Sequence, residues 1–479
     1  MHDEHLSRAR ELLRSLPIED VRSNGLQLDR VDDNPEAARY FLAYGNWSKI
    51  SADEIFDDMD PTTGERTQVY VDFPFCPTVC NFCAFYGTLA KDESDHQRYV
   101  RNLVREMRIL RERYFREGWS VETVELGGGT PTYTPYPLLV EAIETLFAEF
   151  PVRPGGEHNF EATPESIIGD DGFRKLQFLR EAGFARLSIG AQSFEDEVLR
   201  CGNRPHDSKA TLEAVENARR LEYQRINFDL LLGLPDQTLG GFLDSVARSV
   251  ELGIEVIEIY TLRFFDTKKH VPVTMRLRDP ARFLTADEIL LARVAADSML
   301  REVGYRSSNG RTYQRDDREF YANYYQANFQ GANVLGLGRK SHSNVYPWQY
   351  ANHRNLDKYH AHLDEGRLPI AAGFRLGETA RMAKLLTGGL QLPQPIPYAS
   401  LRERFGEEVA ARFDEPFERF ERLGLLEREN GSYTKTFLGF LFVEEMLKVV
   451  FDRAVTPFNV KTQFLGKEQR TRPLQHQSN

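Results

Sequence analysis

The sequence predicts an α/β fold: a partial (β/α)6 TIM-like barrel with an N-terminal helical extension and a smaller C-terminal α+β, winged-helix-like domain. Three observations carry this. From Gln68 to Val303 short β-branched runs alternate with longer helical patterns, as parallel βα units do. Several turns after these runs hold Gly, Pro, Thr or Asn, and a barrel gathers such turns at the C-terminal face of its strands, where ligands bind. A chain of 479 residues is too long for one core, so domains are expected over residues 1–60, 61–305 and 306–479.

Six strands are expected, at Gln68–Phe73, Thr123–Leu126, His158–Ala162, Ala185–Ile189, Arg225–Leu232 and Glu255–Tyr260. Six units rather than eight leave a barrel open on one side, with a mouth wide enough for a large substrate. The first helix shows the pattern that follows each strand. Val100, Leu103, Val104, Met107 and Leu110 recur every three or four residues and form one apolar stripe, while Arg101, Arg105 and Arg108 face out.

Residues 1–60 read as an acidic, mostly helical extension that could cap the barrel, with an aromatic stretch from Tyr40 to Trp47. After Val303 come a Tyr- and Asn-rich stretch at Phe320–Tyr325, then Gly336-Leu337-Gly338, then helix from about Glu378. Two short strands around the turn in Leu425–Thr436 and a helix at Leu438–Val449 complete a winged-helix-like order. In a chain of net charge −11 that module is not expected to bind nucleic acid. The amino terminus lacks the apolar run of a signal peptide and no segment reaches the length of a membrane span, so a cytoplasmic protein is expected.

Four cysteines are too few for a disulfide framework, and three of them fall within eight residues. Cys76, Cys80 and Cys83 follow directly on the first strand. A zinc site would need a second pair of ligands elsewhere, and Cys201 alone does not supply it. Three thiolates from one loop hold three irons of a cubane cluster and leave the fourth iron open. Cys201 reads as an incidental thiol.

This CxxxCxxC arrangement resembles the radical S-adenosylmethionine (SAM) superfamily, in which the open iron of a [4Fe-4S] cluster chelates SAM and cleaves it reductively to a 5′-deoxyadenosyl radical. The turn Gly127-Gly128-Gly129-Thr130-Pro131-Thr132 fits that resemblance, because side-chain-free residues let backbone carbonyls approach the methionyl amino group. The segments VYVDFPFC, ELGGGTPT, FEATPES, RLSIGAQSFEDEVLRCGNR, INFDLLLGLPDQT and NVLGLG narrow the likeness to the HemN-like branch of oxygen-independent coproporphyrinogen III dehydrogenases, over residues 65–345. The resemblance implies that Tyr70 packs on the cluster and cofactor, that Phe82 lies beside the adenine, and that Glu161 meets the cofactor from the barrel mouth. Gln192, Arg204 and Asp229 would contact its ribose or carboxylate. Asp229 also stands out physically, since it lies within the apolar run Ile226–Leu232, where a charge is costly unless paired or ligand-bound. Arg204 is a partner suited to a carboxylate.

Two departures from the branch redirect the functional expectation. Phe85 occupies the position of an additional cysteine, and Gly336-Leu337-Gly338 is followed by Arg339, Lys340, Ser341 and His342 where small residues are the rule. Arg339, Lys340 and His342 either bind an anion, assist proton transfer or stand as solvated loop charges. With Phe85 and the aromatic-rich distal stretch weighed together, the expectation is a class C-like enzyme that uses a second SAM as methylene donor to methylate or cyclopropanate a large unsaturated substrate. The alternatives are oxidative decarboxylation of coproporphyrinogen III and a haem chaperone or haem-degrading protein. By resemblance the electron donor is a low-potential flavodoxin or ferredoxin.

Overall fold

From Thr67 to Phe73 the chain alternates Gln68, Tyr70 and Asp72 with Val69, Val71 and Phe73, giving an extended segment one polar and one apolar face. In the computed structural model, which describes residues 2–27, 31–32, 47–59, 67–83, 87–153, 155–265, 271–315 and 333–454, this segment belongs to an eleven-stranded sheet. Its strands are β1 Thr67–Phe73, β2 Val121–Gly128, β3 His158–Ala162, β4 Phe184–Gln192, β5 Arg225–Leu232, β6 Val256–Thr261, β7 Thr312–Gln314, β8 Asn333–Leu337, β9 His342–Val345, β10 Trp348–Asn352 and β11 Ile370–Arg375.

The sheet order is β11-β10-β9-β8-β1-β2-β3-β4-β5-β6-β7. β1 to β6 lie side by side in chain order and pair in parallel, as the six βα units require. Among the described residues no pairing joins β11 to β7, so the barrel does not close. β3 and β5 have the bounds read from the sequence, whereas β2 runs on through Gly127 and Gly128, which pair with Asp72 and Phe73. The glycines that break a strand pattern in sequence still offer their backbone to the ladder.

The sheet also continues beyond residue 305. β8 adds in parallel to the free side of β1, and β9 to β11 follow it antiparallel, while β7 runs antiparallel to β6 at the opposite edge. Strands this short, interrupted by Gly336 and Gly338, carry little periodicity of their own.

The longer helices are α1 His2–Ser15, α2 Glu93–Arg113, α3 Tyr136–Glu149, α4 Gly169–Glu181, α5 Ser208–Arg220, α6 Leu239–Glu251, α7 Ala286–Glu302, α8 Leu356–Asp364, α9 Glu378–Gln391, α10 Glu407–Arg422 and α11 Val443–Ala454. α2 starts at Asp92, whose carboxylate accepts the Ser94 N–H and occupies one of the unpaired donors of the first turn. It buries the expected apolar stripe and exposes Arg101, Arg105 and Arg108. α1 lies against α7 and reaches α6 through His2 and Asp244. Of the aromatic stretch, Trp47 packs edge-on against Phe374, and residues 40–46 lie outside those described. The described residues end with the expected hairpin, Leu426–Glu429 and Ser432–Lys435, and then with two helices, Phe437–Leu441 and α11, where the sequence predicts one helix over Leu438–Val449. No helix among the described residues is long and apolar enough to cross a membrane.

Glu106 joins α2 to the later strands. Its buried carboxylate accepts the Gly338 N–H at 2.9 Å, the Asn352 amide at 2.6 Å and the Tyr359 hydroxyl at 2.7 Å. Burial pushes its pKa up to about 7 against the pull of those three donors. Glu106→Ala is expected to cost about 3 kcal/mol, because the buried Gly338 N–H and Tyr359 hydroxyl lose their acceptor and the Asn352 amide loses one of its three, and urea unfolding measures it. An unchanged midpoint would show that the network carries no stability.

Candidate functional site

A loop that must hold three thiols in place needs its backbone pinned, and here the pins come from two directions. The Cys76 N–H donates to Thr88 O at 3.0 Å and the Thr88 N–H to Pro74 O at 3.0 Å. On the other side the loop is stitched to the segment after β4. The Asn81 N–H bonds Gly202 O at 3.0 Å, the Asn81 side-chain amide bonds Cys201 O at 2.9 Å, and the Asn203 amide bonds Val79 O at 2.8 Å. Cys76, Cys80 and Cys83 are all free thiols and half-buried.

Arg204 Nη1 donates to Cys80 Sγ at 3.2 Å while its Nη2 donates to Gly190 O at 2.7 Å. Thr130 Oγ1 donates to Cys76 Sγ at 3.7 Å. Burial pushes the Cys76 thiol up to about 11, the Thr130 hydroxyl pulls it down, and the neighbouring cysteines add to the rise. Thiols that keep one another protonated are ionised by a bound cationic centre. Among the described residues no three His, Cys, Asp or Glu side chains converge on one metal ion. In a cubane each cysteine binds a different iron, so this donor set suits a cluster rather than a zinc ion.

The glycine turn packs onto the inward side chains of its neighbours. The Gly129 N–H donates to Phe73 O at 2.7 Å and the Thr130 N–H to Phe75 O at 2.9 Å. A Cβ on Gly127 would stand 2.9 Å from the Tyr70 hydroxyl and 3.1 Å from Glu161 Cδ. One on Gly128, whose φ is +106°, would stand 2.3 Å from Asp72 Oδ1. Tyr70, Gly127 and Glu161 thus share one patch at the strand ends.

The other expected residues line the same rim. Gln192 ends β4 with φ +66°, a left-handed conformation that costs a non-glycine residue energy and recurs at functional sites. A Cβ on Gly190 would lie 3.2 Å from Gln192 Nε2 and 3.3 Å from Arg204 Nη2, so those two side chains flank the β4 backbone together. Phe82 packs against the apolar group of Val198, Leu231, Leu234 and Leu262, beside Gly202. Asp229 is half-buried, with Asn227 Nδ2 donating at 2.9 Å and Ser188 Oγ at 3.4 Å. The cation acting on it is Arg186, and Arg204 bonds Cys80 and Gly190 instead.

Inside the strands the sequence reading missed Glu125 and Glu258, which join Glu161 and Asp229 in a carboxylate cluster. Glu125, Glu161, Asp229 and Glu258 alternate with buried apolar residues on β2, β3, β5 and β6. Burial pushes Glu161 up to about 8, and Glu125 and Asp229 each to about 7, with the neighbouring carboxylates adding to the rise. The signal was present, since Glu125 and Glu258 interrupt apolar strands just as Asp229 does. Also missed was Glu165, which lies 3.3 Å from the buried His206 and whose carboxylate is drawn below its usual range by His206, Thr163 and Arg204.

Arg339 Nη1 donates to Thr88 Oγ1 at 2.9 Å and Lys340 Nζ lies 3.9 Å from Asp72 Oδ1, so these are buried partners rather than solvated charges. His342 opens β9 with Trp47 edge-on at 6.3 Å. Cys201 Sγ accepts from Arg282 at 3.2 Å. Phe85 and the Phe320–Tyr325 stretch lie outside the described residues.

Comparison with known proteins agrees with this geometry. Residues 70–248 match the family model described as the Radical SAM superfamily and residues 376–442 that of the HemN C-terminal domain. The oxygen-independent coproporphyrinogen III oxidase of Pseudomonas aeruginosa is 27% identical, over 92% of this chain and 96% of its own. The enzyme of the same name from Cereibacter sphaeroides is 26% identical over 93% and 97%. The solved structure of the Escherichia coli coproporphyrinogen III oxidase, HemN, a radical SAM enzyme, superposes with a TM-score of 0.75 at 22% identity, over 88% of this chain and 99% of that one. The fold is therefore that of HemN, and the cofactors of the superfamily are a [4Fe-4S] cluster and SAM.

These relatives overturn the methylating or cyclopropane-forming expectation, and with it the second SAM as methylene donor. That reading weighed one loop position, Phe85, and a distal aromatic stretch against likeness along the whole chain.

Replacing Cys76, Cys80 or Cys83 by Ala is expected to abolish the brown chromophore and bound iron after anaerobic reconstitution, while Cys201→Ala keeps both; iron loss in the last variant would show the ligands to be misassigned. The carboxylates give a pH signature. A group whose folded pKa is raised favours folding below its unfolded pKa, and that contribution is lost as pH rises through the folded value. The melting temperature of the cluster-free protein should therefore fall between about pH 5 and pH 8, and Glu125→Gln should reduce the fall. Parallel profiles for the two proteins would rule out Glu125 as a contributor.

Proposed function

We propose that this chain, which pairs a Radical SAM domain with a HemN C-terminal domain, catalyses the oxygen-independent oxidative decarboxylation of coproporphyrinogen III. The observation that carries the reading is the extent of the likeness: relatives bearing that name align across both domains, over 92% of the chain.

Cys76, Cys80 and Cys83 would hold the cluster, which with SAM supplies a carbon-centred radical able to take a hydrogen atom from substrate. The protein's part is to bind and orient. Arg204 is fixed at two of its nitrogens, and its buried Nε has no hydrogen-bond partner, leaving a donor for a carboxylate at the rim. Glu161 and Gln192 end the neighbouring strands β3 and β4, where they would meet the cofactor's polar groups. The raised pKa of Glu161 keeps a proton on it until a cation or a donor approaches. A low-potential flavodoxin or ferredoxin would deliver the electron.

Anaerobic incubation of the reconstituted protein with dithionite, SAM and coproporphyrinogen III tests this. Carbon dioxide release in step with 5′-deoxyadenosine is the expected result. SAM cleavage that yields no carbon dioxide would overturn the substrate, and tight haem binding without turnover would overturn the enzymatic reading.

A further inference from the structure

One charged pair is buried directly behind the glycine turn and belongs to none of the cofactor-contacting positions. Asp72 is 1% exposed, and neither of its carboxylate oxygens accepts a hydrogen bond. Gly128 closes over Oδ1 so tightly that no side chain fits between them. A carboxylate held this way needs a neighbouring cation or a proton. The cation comes from the turn after β8, where Lys340 Nζ stands 3.9 Å from Asp72 Oδ1 with 10% of the side chain exposed.

That turn is built to hold the lysine there. Lys340 has φ +56°, a left-handed conformation that costs a lysine energy, and its N–H donates to His353 O at 3.1 Å. Gly338 just before it is held by Glu106, and Arg339 by Thr88. Thr88 O in turn receives the Cys76 N–H, so the turn and the first cysteine are two hydrogen bonds apart. The field of the Lys340 ammonium reaches Cys76 and Glu161 as well as Asp72.

We propose that Lys340, positioned by Asp72, is a fixed positive charge beside the Cys76 corner of the iron–sulfur cluster and raises the cluster's reduction potential. One-electron reduction by an external donor adds a negative charge to the cluster. A cation held in a poorly hydrated site stabilises that added charge more than a solvated one does. The inference rests on the cluster being held by Cys76, Cys80 and Cys83, and not on the identity of the substrate.

Redox titration of the reconstituted cluster without SAM or substrate tests it, followed by electron paramagnetic resonance of the reduced state. Lys340→Met should shift the midpoint to lower potential at unchanged iron and sulfide content, and Lys340→Arg should restore most of the shift. If Lys340→Met loses its cluster, the double variant Lys340→Met, Asp72→Asn leaves no unpaired buried carboxylate and carries the same expectation. A midpoint equal to that of the wild type in a cluster-loaded Lys340→Met or double variant would overturn the proposal. Failure of the wild-type protein to take up a cluster would overturn the ligand assignment instead.

Discussion

Gathering four carboxylates inside one sheet, Glu258 buried and the other three half-buried, is the constraint around which this molecule is arranged. Glu125, Glu161, Asp229 and Glu258 sit on parallel strands, among which β5 and β6 place Asp229 directly beside Glu258. Desolvation and mutual repulsion both favour the protonated forms, and Arg186 offsets only part of this at Glu125 and Asp229. Hydrogen bonds from Asn227 and Ser188 satisfy Asp229 without neutralising it. Such a lumen is hostile to an anion and receptive to a cation. SAM carries a permanent sulfonium and an ammonium group, so the electrostatics of the strands suit the cofactor that the cysteine spacing implies.

The cysteine loop meets a different demand, that of staying put while largely outside regular structure. Its backbone is bonded to Thr88 on one side and to Cys201, Gly202 and Asn203 on the other. Arg204 then ties Cys80 to the end of β4. The Arg204 tie lands on β4 at Gly190, and the ties to Cys201, Gly202 and Asn203 land at the end of the short helix Asp196–Cys201, so the loop is held by elements that follow β4. Cys201, an incidental thiol by sequence, has a structural part through its carbonyl, which accepts from Asn81, and through its sulfur, which accepts from Arg282.

How far the sequence was legible follows from which physics each feature obeys. β3 and β5 read to the residue because apolar runs bounded by Gly, Pro and Thr mark both strand and turn. β8 did not, because its register is set by β1 and the turn after it is held by Glu106, partners more than 200 positions away. The cysteines were legible because metal coordination fixes their spacing. Glu125 and Glu258 were equally visible as charges in apolar strands, but that argument was applied to Asp229 alone. The substrate expectation failed because Phe85 was made to outweigh agreement along the rest of the chain.

The late strands also show why the first 305 residues do not make the site alone. β8 docks on β1 in parallel, with Gly336 opposite Tyr70 and Leu337 opposite Val71. The turn that follows is therefore delivered beside Asp72, at the level where β1 gives way to the cysteine loop. Gly338 must be glycine there: its φ is +92°, and a Cβ would lie 2.4 Å from the Tyr99 hydroxyl. Tyr99 donates to Asp72 O and accepts the Arg339 N–H, closing a ring of contacts around the base of the loop. Small residues after Gly338 would leave Asp72 buried without a neighbouring cation. Arg339 and Lys340 are thus explained by the aspartate across from them: the bases after β8 are the counterpart of a buried acid on β1.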